Sequence, residues 1–432
     1  MGNTADDPQP GRPPMRPTAA KWLAVGLLWM VALLNYLDRL TITTIRVPLK
    51  AEIAMTDAQF GLLTSVFLWV YGAFSPLGGY VADRFSRRGV IILSLFIWSG
   101  VTWLTGHLHT FDHLLLARAA MGISEACYIP AALALISDYH RGRTRSLATG
   151  IHMSGIYAGA ALGGLGGVIA EHFGWRSAFG LLGGVGVAYS IVIILCLRDA
   201  PESTSDDRVT PEASRRSLAA ALRELAGSRA FAVLLVIDGL VGVANWGIYG
   251  WLPTYLQEQF RLGLGTAGMT ATAYIQVASF AGVLAGGWVA DRWSRTQPDA
   301  RARVPAIGFC VVAPLLYLAA TTHTLPVAIA GLLAFGLGRG FFDANLMPIV
   351  RSVIDERFSA TAYGLLNLVS VFLGGAMVYV GGSLQDARVG LNRVFQVSAV
   401  GLLAVGLLLF AIRRRPGLRS AAGLGQNEPA SP

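Results

Sequence analysis

Charged side chains occur inside several long apolar segments of this 432-residue chain. A charge at the centre of a lipid bilayer is costly, so an ionisable residue in such a segment calls for a chemical reason. Arginine stays protonated and holds an anion in a planar fork, whereas a carboxyl group shielded from water binds a proton more readily. The set therefore indicates anion binding combined with proton transfer. Its members are Asp38, Arg39, Arg118, Glu125, Asp238, Arg339 and Asp343.

Four of these residues are expected at a similar depth in two of the apolar segments. Arg118 and Glu125 are seven residues apart, which places them on one helix face about 10 Å from each other. Asp38 and Arg39 reach a similar depth in the first apolar segment. We expect Arg39 to anchor an anion, and Glu125 to switch protonation as the substrate or Asp38 competes for Arg118. The alternative is two permanent neutralising pairs, Asp38 with Arg118 and Arg39 with Glu125.

The second half of the chain carries Arg339 and Asp343, four residues apart. They can neutralise one another on one helix face. The alternative is that Arg339 contacts the substrate, since a 214-residue offset aligns it with Glu125. Polar and aromatic residues near the same level complete the candidate site, although each is individually more often a packing residue. The predicted substrate contacts are Arg39, Tyr128, Tyr157, Asn245, Tyr249, Arg339 and Asn345, and the predicted proton-coupling residues are Asp38, Arg118 and Glu125.

The composition is that of a membrane protein. Hydrophobic residues make up 54% of the chain and charged residues only 14%, against roughly 25% charged residues in soluble domains. The net charge of +9 is spread over short breaks between apolar stretches, which argues against nucleic-acid binding. Cys127, Cys196 and Cys310 lie in apolar segments and predict neither a disulfide nor a metal site. No phosphate-binding loop, zinc motif or nucleophile elbow occurs, so we expect neither an enzyme nor a cofactor.

Twelve apolar segments are long enough to cross a bilayer, which requires about 20 residues per helix. The predicted fold is therefore an all-α membrane protein with two six-helix bundles. The predicted divisions are an N-terminal tail 1–21, a first bundle 22–197, a linker 198–229, a second bundle 230–412 and a C-terminal tail 413–432. The predicted helices are 22–44, 57–82, 89–108, 112–138, 146–170, 176–197, 230–258, 268–290, 304–321, 325–350, 360–382 and 390–412.

The two bundles are related by an internal duplication. The sequence GGYVADRFSR at 78–87 returns as GGWVADRWSR at 286–295, with eight of ten residues identical. Each copy follows a long apolar segment and is rich in arginine. Arginine-rich loops mark the cytoplasmic side of a membrane protein. Both termini are therefore expected to be cytoplasmic, in a cell membrane that is predicted to be a bacterial inner membrane.

Two six-helix halves with this repeated loop resemble the major facilitator superfamily. The loop of the first half matches at Gly79, Asp83, Arg84, Arg87 and Arg88, and that of the second at Gly287, Asp291, Arg292 and Arg295. The resemblance implies that helices 1, 4, 7 and 10 line a central cavity. It also implies that the loops hold the halves together on the cytoplasmic face and release during transport. The alternative is a topology signal with a solvated aspartate.

Further stretches resemble two branches of this superfamily. NYLDR at 35–39, RAAMGISEA at 118–126 and NWGIYGWLPTYL at 245–256 are similar to the anion:cation symporters and to the spinster-type transporters. SPLGGYVADRF at 75–85 is closer to the spinster side. Asp138 departs from the symporters, which often carry tryptophan at the inner end of helix 4.

The expected function is secondary active transport by rocking of two halves about a central site. We expect a monomer that moves a small organic anion, such as a sugar acid or another carboxylate, together with protons. The alternative is a spinster-like exporter of a lysolipid or amphipathic compound. A passive channel or a non-transporting receptor is disfavoured, because buried titratable pairs suit a coupled cycle.

Overall fold

The structure, a computed structural model, describes residues 17–140, 144–200, 222–355 and 358–412. The predicted N-terminal tail up to residue 16, the linker segment 201–221 and the tail 413–432 lie outside the described residues.

The described part of the first half consists of nine α-helices and one 3-10 turn. Its bounds are α1 (Pro17–Thr41), a 3-10 turn (Ile42–Thr44), α2 (Arg46–Glu52), α3 (Asp57–Arg84), α4 (Arg87–Thr105), α5 (Phe111–Glu125), α6 (Tyr128–Tyr139), α7 (Arg145–Leu162), α8 (Leu165–Phe173) and α9 (Trp175–Cys196). The fourth predicted membrane helix is divided into α5 and α6, and the fifth into α7 and α8.

The second half begins with α10, whose described part is 222–227. It continues with α11 (Arg229–Phe260), α12 (Leu264–Trp293), α13 (Ala300–Thr321), α14 (Leu325–Val353), α15 (Ser359–Asp386) and α16 (Asn392–Ala411). Within the described ranges, twelve helical spans are long and apolar enough to cross a membrane, and no strand occurs. The prediction of twelve membrane helices in an all-α fold is confirmed.

The break between α5 and α6 places Glu125 at a helix end in mid-membrane. Pro130 has no N–H, so it cannot donate the helical hydrogen bond to the carbonyl of Ala126. Gly78 of α3 lies directly against this break, because a Cβ atom at Gly78 would be 2.4 Å from the Ala126 carbonyl oxygen. The sequence thus brings α3 onto the kinked helix that carries Glu125.

The two halves meet along two helix pairs, α3 with α15 and α7–α8 with α12. We call the end of the molecule at which α3 and α12 begin the outer end. In the first pair, Ser65 donates to the carbonyl of Gly375 at 2.7 Å and Trp69 to that of Phe372 at 3.0 Å. In the second, a Cβ atom at Gly164 would lie 2.5 Å from the α12 backbone. These contacts close the outer part of the interface between the halves.

Candidate functional site

The centre of the first half contains a buried ion pair. Nη2 of Arg39 lies 2.7 Å from Oε2 of Glu125, and Nε of the same arginine donates to that oxygen at 3.2 Å. The two side chains are 3% and 0% exposed. A third bond runs from Arg39 to Oδ1 of Asn35 at 3.3 Å. The pair joins α1 to α5 at the position where α5 ends.

Three aromatic rings surround the Arg39 guanidinium. Its central carbon lies 4.5 Å from the ring centroid of Tyr36, 4.6 Å from that of Tyr71 and 4.9 Å from that of Phe67. Each distance lies in the range of cation–π attraction. Arg39 is thus enclosed by Glu125 and these rings, and an anion can reach it only by displacing one of them.

Arg118 and Asp38 complete the predicted cluster, but they do not form an ion pair with each other within 4.0 Å. Arg118 donates to the carbonyl of Leu63 at 3.2 Å, and its guanidinium lies 4.7 Å from the Phe67 ring that Arg39 also contacts. Asp38 is 1% exposed, and among the described residues neither of its oxygens has a hydrogen-bond partner in good geometry. The charges of Arg118 and Glu125 still act on it. Of the two proposed neutralising pairs, only Arg39 with Glu125 is in direct contact.

The second half contributes a more accessible arginine. Arg339 donates to the hydroxyl of Tyr249, and its Nε lies 3.4 Å from Oδ2 of Asp343. Arg339 and Asp343 are 18% and 30% exposed. Tyr157 of α7 donates to the same aspartate at 3.2 Å, and Gln276 donates to Tyr249 at 2.7 Å. This group therefore links the halves and presents a cation at their junction.

The remaining predicted substrate contacts lie in different surroundings. Tyr128 is fully buried and donates to the carbonyl of Leu28 at 2.8 Å. Asn345 donates to the carbonyl of Phe341 in its own helix at 2.8 Å. Asn245 is partly buried, and among the described residues its Oδ1 has no hydrogen-bond partner. Tyr128 and Asn345 thus have packing contacts here, and their substrate role stays a prediction.

Sequence reasoning missed the three rings around Arg39 and the amide of Gln276. Tyr36 had a usable signal, because it precedes Arg39 by three residues and such positions are neighbours on a helix. Phe67 and Tyr71 share a face of α3, but nothing in their spacing relates that face to Arg39. The pairing of distant helices supplies the missing information.

The repeated loop of the first half packs onto the end of its own bundle. Arg87 forms an ion pair with Asp138 of α6. Arg88 donates to the carbonyls of Leu197 and Ile194, both at 2.6 Å. Asp138, which departs from the symporter pattern, is thus a partner of the loop. These described contacts remain within one half.

The other predicted gating residues are mostly exposed. Arg84 and Arg292 are exposed, and no atom lies within 4 Å of a Cβ atom built on Gly79. Asp291 accepts from Arg301 at 3.0 Å, within the second half. The side chain of Asp83 lies outside the described part of the chain. The gating role of the loops stays a prediction.

Comparison with known proteins identifies the family. Residues 28–379 match the profile of the Major Facilitator Superfamily. The chain belongs to this superfamily. It is 28% identical over 402 residues to the probable sulfoacetate transporter SauU of Cupriavidus necator, covering 89% of this chain and 92% of that protein. It is 26% identical over 412 residues to the probable L-galactonate transporter of Escherichia coli, covering 90% and 89%.

The fold agrees with a solved structure of the spinster branch. A bacterial homologue of the human lysosomal transporter Spinster superposes with a TM-score of 0.74 at 21% identity, covering 91% of this chain and 95% of that one. The chain is also 25% identical over 381 residues to protein spinster homolog 1 of Xenopus tropicalis, covering 84% of this chain and 72% of that protein. The predicted resemblance to anion transporters and spinster proteins is confirmed by these relatives, and the chain is a multi-pass membrane protein of a transporter superfamily.

Proposed function

We propose that this protein is a secondary active transporter that carries a small organic anion together with protons by alternating access. The observation that carries the proposal is the buried Arg39–Glu125 pair, with the buried Asp38 of the same cluster and the accessible Arg339 in the opposite half. The names of two relatives support the substrate class, since sulfoacetate and L-galactonate are both small carboxylates.

The substrate meets Arg339 first, because that guanidinium is more exposed than Arg39. Tyr157 and Tyr249 supply hydroxyl groups beside it. An anion bound there lies at the junction of the halves and competes with Asp343 for the arginine. Binding and closure then bring the anion toward Arg39.

Exclusive pairing at Arg39 couples the anion to a proton. If the substrate takes Arg39, Glu125 loses its cation, and an ionised carboxylate without a partner in this setting is costly. Glu125 therefore leaves Arg39 as a neutral, protonated group. Asp38 has no cation in direct contact, and we assign it to proton transfer as the second carboxyl group of the cluster. Return of Glu125 to Arg39 releases both the proton and the anion.

The repeated loops provide the inner gate of this cycle. Asp83 and Asp291 lie near the inner ends of α3 and α12, beside clusters of arginine. Such clusters favour a cytoplasmic location for these ends. We therefore place both termini in the cytoplasm and the protein, as a monomer, in a bacterial inner membrane.

The second candidate is a spinster-like transporter of an amphipathic compound. It is favoured by the stretch SPLGGYVADRF at 75–85, which resembles that branch. The accessible group around Arg339 is rich in charge and hydroxyl groups, which suits a polar anion better than an acyl chain. Transport of a lysophospholipid would decide for this candidate.

Uptake into proteoliposomes tests the proposal. Purified protein is reconstituted, a pH gradient is imposed, and accumulation of labelled sulfoacetate, L-galactonate and a lysophospholipid is followed. We expect accumulation of a carboxylate that collapses with a protonophore. Absence of any proton-driven carboxylate uptake would contradict the assigned class.

Glu125→Gln separates coupling from binding. This variant should retain exchange of internal for external substrate but lose accumulation against a gradient. Asp112→Asn is the control, because Asp112 is an exposed carboxylate that lies in neither charged group. If Glu125→Gln still accumulates substrate, or if Asp112→Asn loses accumulation equally, the proton role of Glu125 is wrong.

A further inference from the structure

Asp386 of the second half caps a helix of the first half. It is the last residue of α15, and its two oxygens accept from the backbone N–H groups of Asp57 and Ala58, both at 2.8 Å. These are the first two residues of α3, whose N–H groups have no partner within the helix. The next free N–H, that of Gln59, donates to the Thr56 hydroxyl at 3.1 Å. The other half therefore completes the cap of α3.

Glu171 of the first half does the same for a helix of the second half. It lies in the last turn of α8, and its Oε2 accepts from the backbone N–H of Gly265 at 2.7 Å. Helix α12 begins at Leu264, and Gly263 at its N-cap has no side chain with which to cap it. A carboxylate from across the interface thus takes the place of a local cap.

The two capped helix ends are related by the internal duplication. The offset of 208 residues that relates the two copies of the repeated loop also relates Asp57 to Gly265. Both carboxylates lie at the C-terminal end of a helix, where a negative charge is unfavourable for that helix, and both lie at the N-terminal end of another, where it is favourable. Their position therefore makes electrostatic sense only when the halves are together.

We propose that Asp386 and Glu171 form a reciprocal latch that holds the outer face closed and opens in each transport cycle. Neighbouring charges do not oppose it: the Asp57 carboxylate beside Asp386 is neutralised by Arg46 at 2.7 Å and Lys50 at 2.5 Å. Opening the outer face removes both caps at once. The latch rests on the proposed alternating access, but its test needs no substrate.

Spin-label distances across the outer end measure what fraction of the molecules has the outer face closed. Labels are placed on cysteines introduced at Asp112 and Thr324, which are exposed outer residues of opposite halves, after replacement of the three native cysteines. Each charge–helix contact is expected to contribute about 1 kcal/mol, and the two contributions should add. Asp386→Ala and Glu171→Ala should therefore each raise the ratio of outer-open to outer-closed molecules about fivefold. The double variant should raise this ratio about 25-fold.

Matched variants keep the test decisive. Glu52→Ala also removes an exposed outer carboxylate, but its partner Arg176, at 3.1 Å, lies in the same half, so the ratio should stay unchanged. Asp386→Asn keeps an acceptor oxygen and should give an intermediate shift even if the alanine variant folds poorly. An unchanged ratio in both Asp386 variants and in Glu171→Ala, or an equal shift in Glu52→Ala, would overturn the latch. If the unaltered protein shows the expected spin-label distances but transports no carboxylate, that result counts against the proposed function and leaves the latch standing.

Discussion

Removing both partners of the Arg39–Glu125 pair should destabilise the protein less than the sum of the two single removals. Both side chains are at most 3% exposed, and Glu125 accepts two hydrogen bonds from Arg39. Loss of one partner from such a buried pair typically costs about 3–5 kcal/mol, because the other charge is left uncompensated. We expect about 3 kcal/mol for each single variant, Arg39→Gln and Glu125→Gln. The double variant should lose about 2 kcal/mol less than the sum of the two.

The two single variants should differ in their response to pH. Arginine does not give up its proton, so Glu125→Gln leaves a permanent charge among the three rings. In Arg39→Gln the stranded Glu125 carboxylate can bind a proton instead. The folded state of this variant then binds one proton more than the unfolded chain, so its stability rises as pH falls, by at most about 1.4 kcal/mol per pH unit.

Denaturant titration in detergent, followed by fluorescence of the ten tryptophans, measures these differences at pH 5 and pH 8. Glu125→Gln has no carboxyl group at this position and therefore serves as the control for pH effects elsewhere in the protein. Additive single effects would show that the pair is not coupled energetically. Equal pH dependence of the two variants would show that Glu125 does not take up a proton when Arg39 is lost.

Three further outcomes are expected. Burial alone would lower the pKa of Arg46, but its carboxylate partners raise this pKa above the usual value. The contact between Arg46 and Glu258 at 3.0 Å joins the two halves and is lost only above that pKa. The outer spin-label distance should therefore not change between pH 7 and 10. Asp138→Asn removes the partner of Arg87 and should cost about 0.5–1 kcal/mol, because the pair is partly exposed; faster hydrogen exchange at 84–88 reports it. Gly164→Ala places a Cβ atom 2.5 Å from the α12 backbone and should increase the outer-open population, whereas Gly180→Ala meets no atom within 4 Å and should not.

The fold followed from the sequence because lipid imposes a simple rule. Each membrane helix must satisfy its own backbone and expose apolar side chains, so its length is visible as an apolar run. The positions of the helix boundaries were harder to predict from the sequence. The break after Glu125 depends on Pro130 and on the approach of Gly78, and the periodicity of the fourth span gives no sign of its position.

The charged residues of the site were predictable for the same reason, since a charge in an apolar run is conspicuous. Their partners were not. The sequence allowed Asp38 to pair with Arg118, yet the structure keeps that pair out of direct contact while it joins Arg39 to Glu125. Which arginine pairs with which carboxylate depends on how α1 and α5 are rotated about their axes. That rotation is set by packing, of α1 mainly against α7 and of α5 mainly against α3.

The internal duplication explains why the contacts that close the outer face are symmetric whereas the charged cluster is not. A rocking motion about a two-fold axis needs equivalent contacts on the two sides of that axis, and the caps at Asp57 and Gly265 meet this need because both derive from one ancestral position. Proton coupling in the proposed cycle requires an asymmetric site. One carboxylate and one guanidinium must pair exclusively, and a symmetric copy of either group in the other half would add a competing partner. In the proposed cycle, Arg339 of the second half meets the anion and Glu125 of the first half exchanges the proton, and the duplication aligns these two residues of opposite charge.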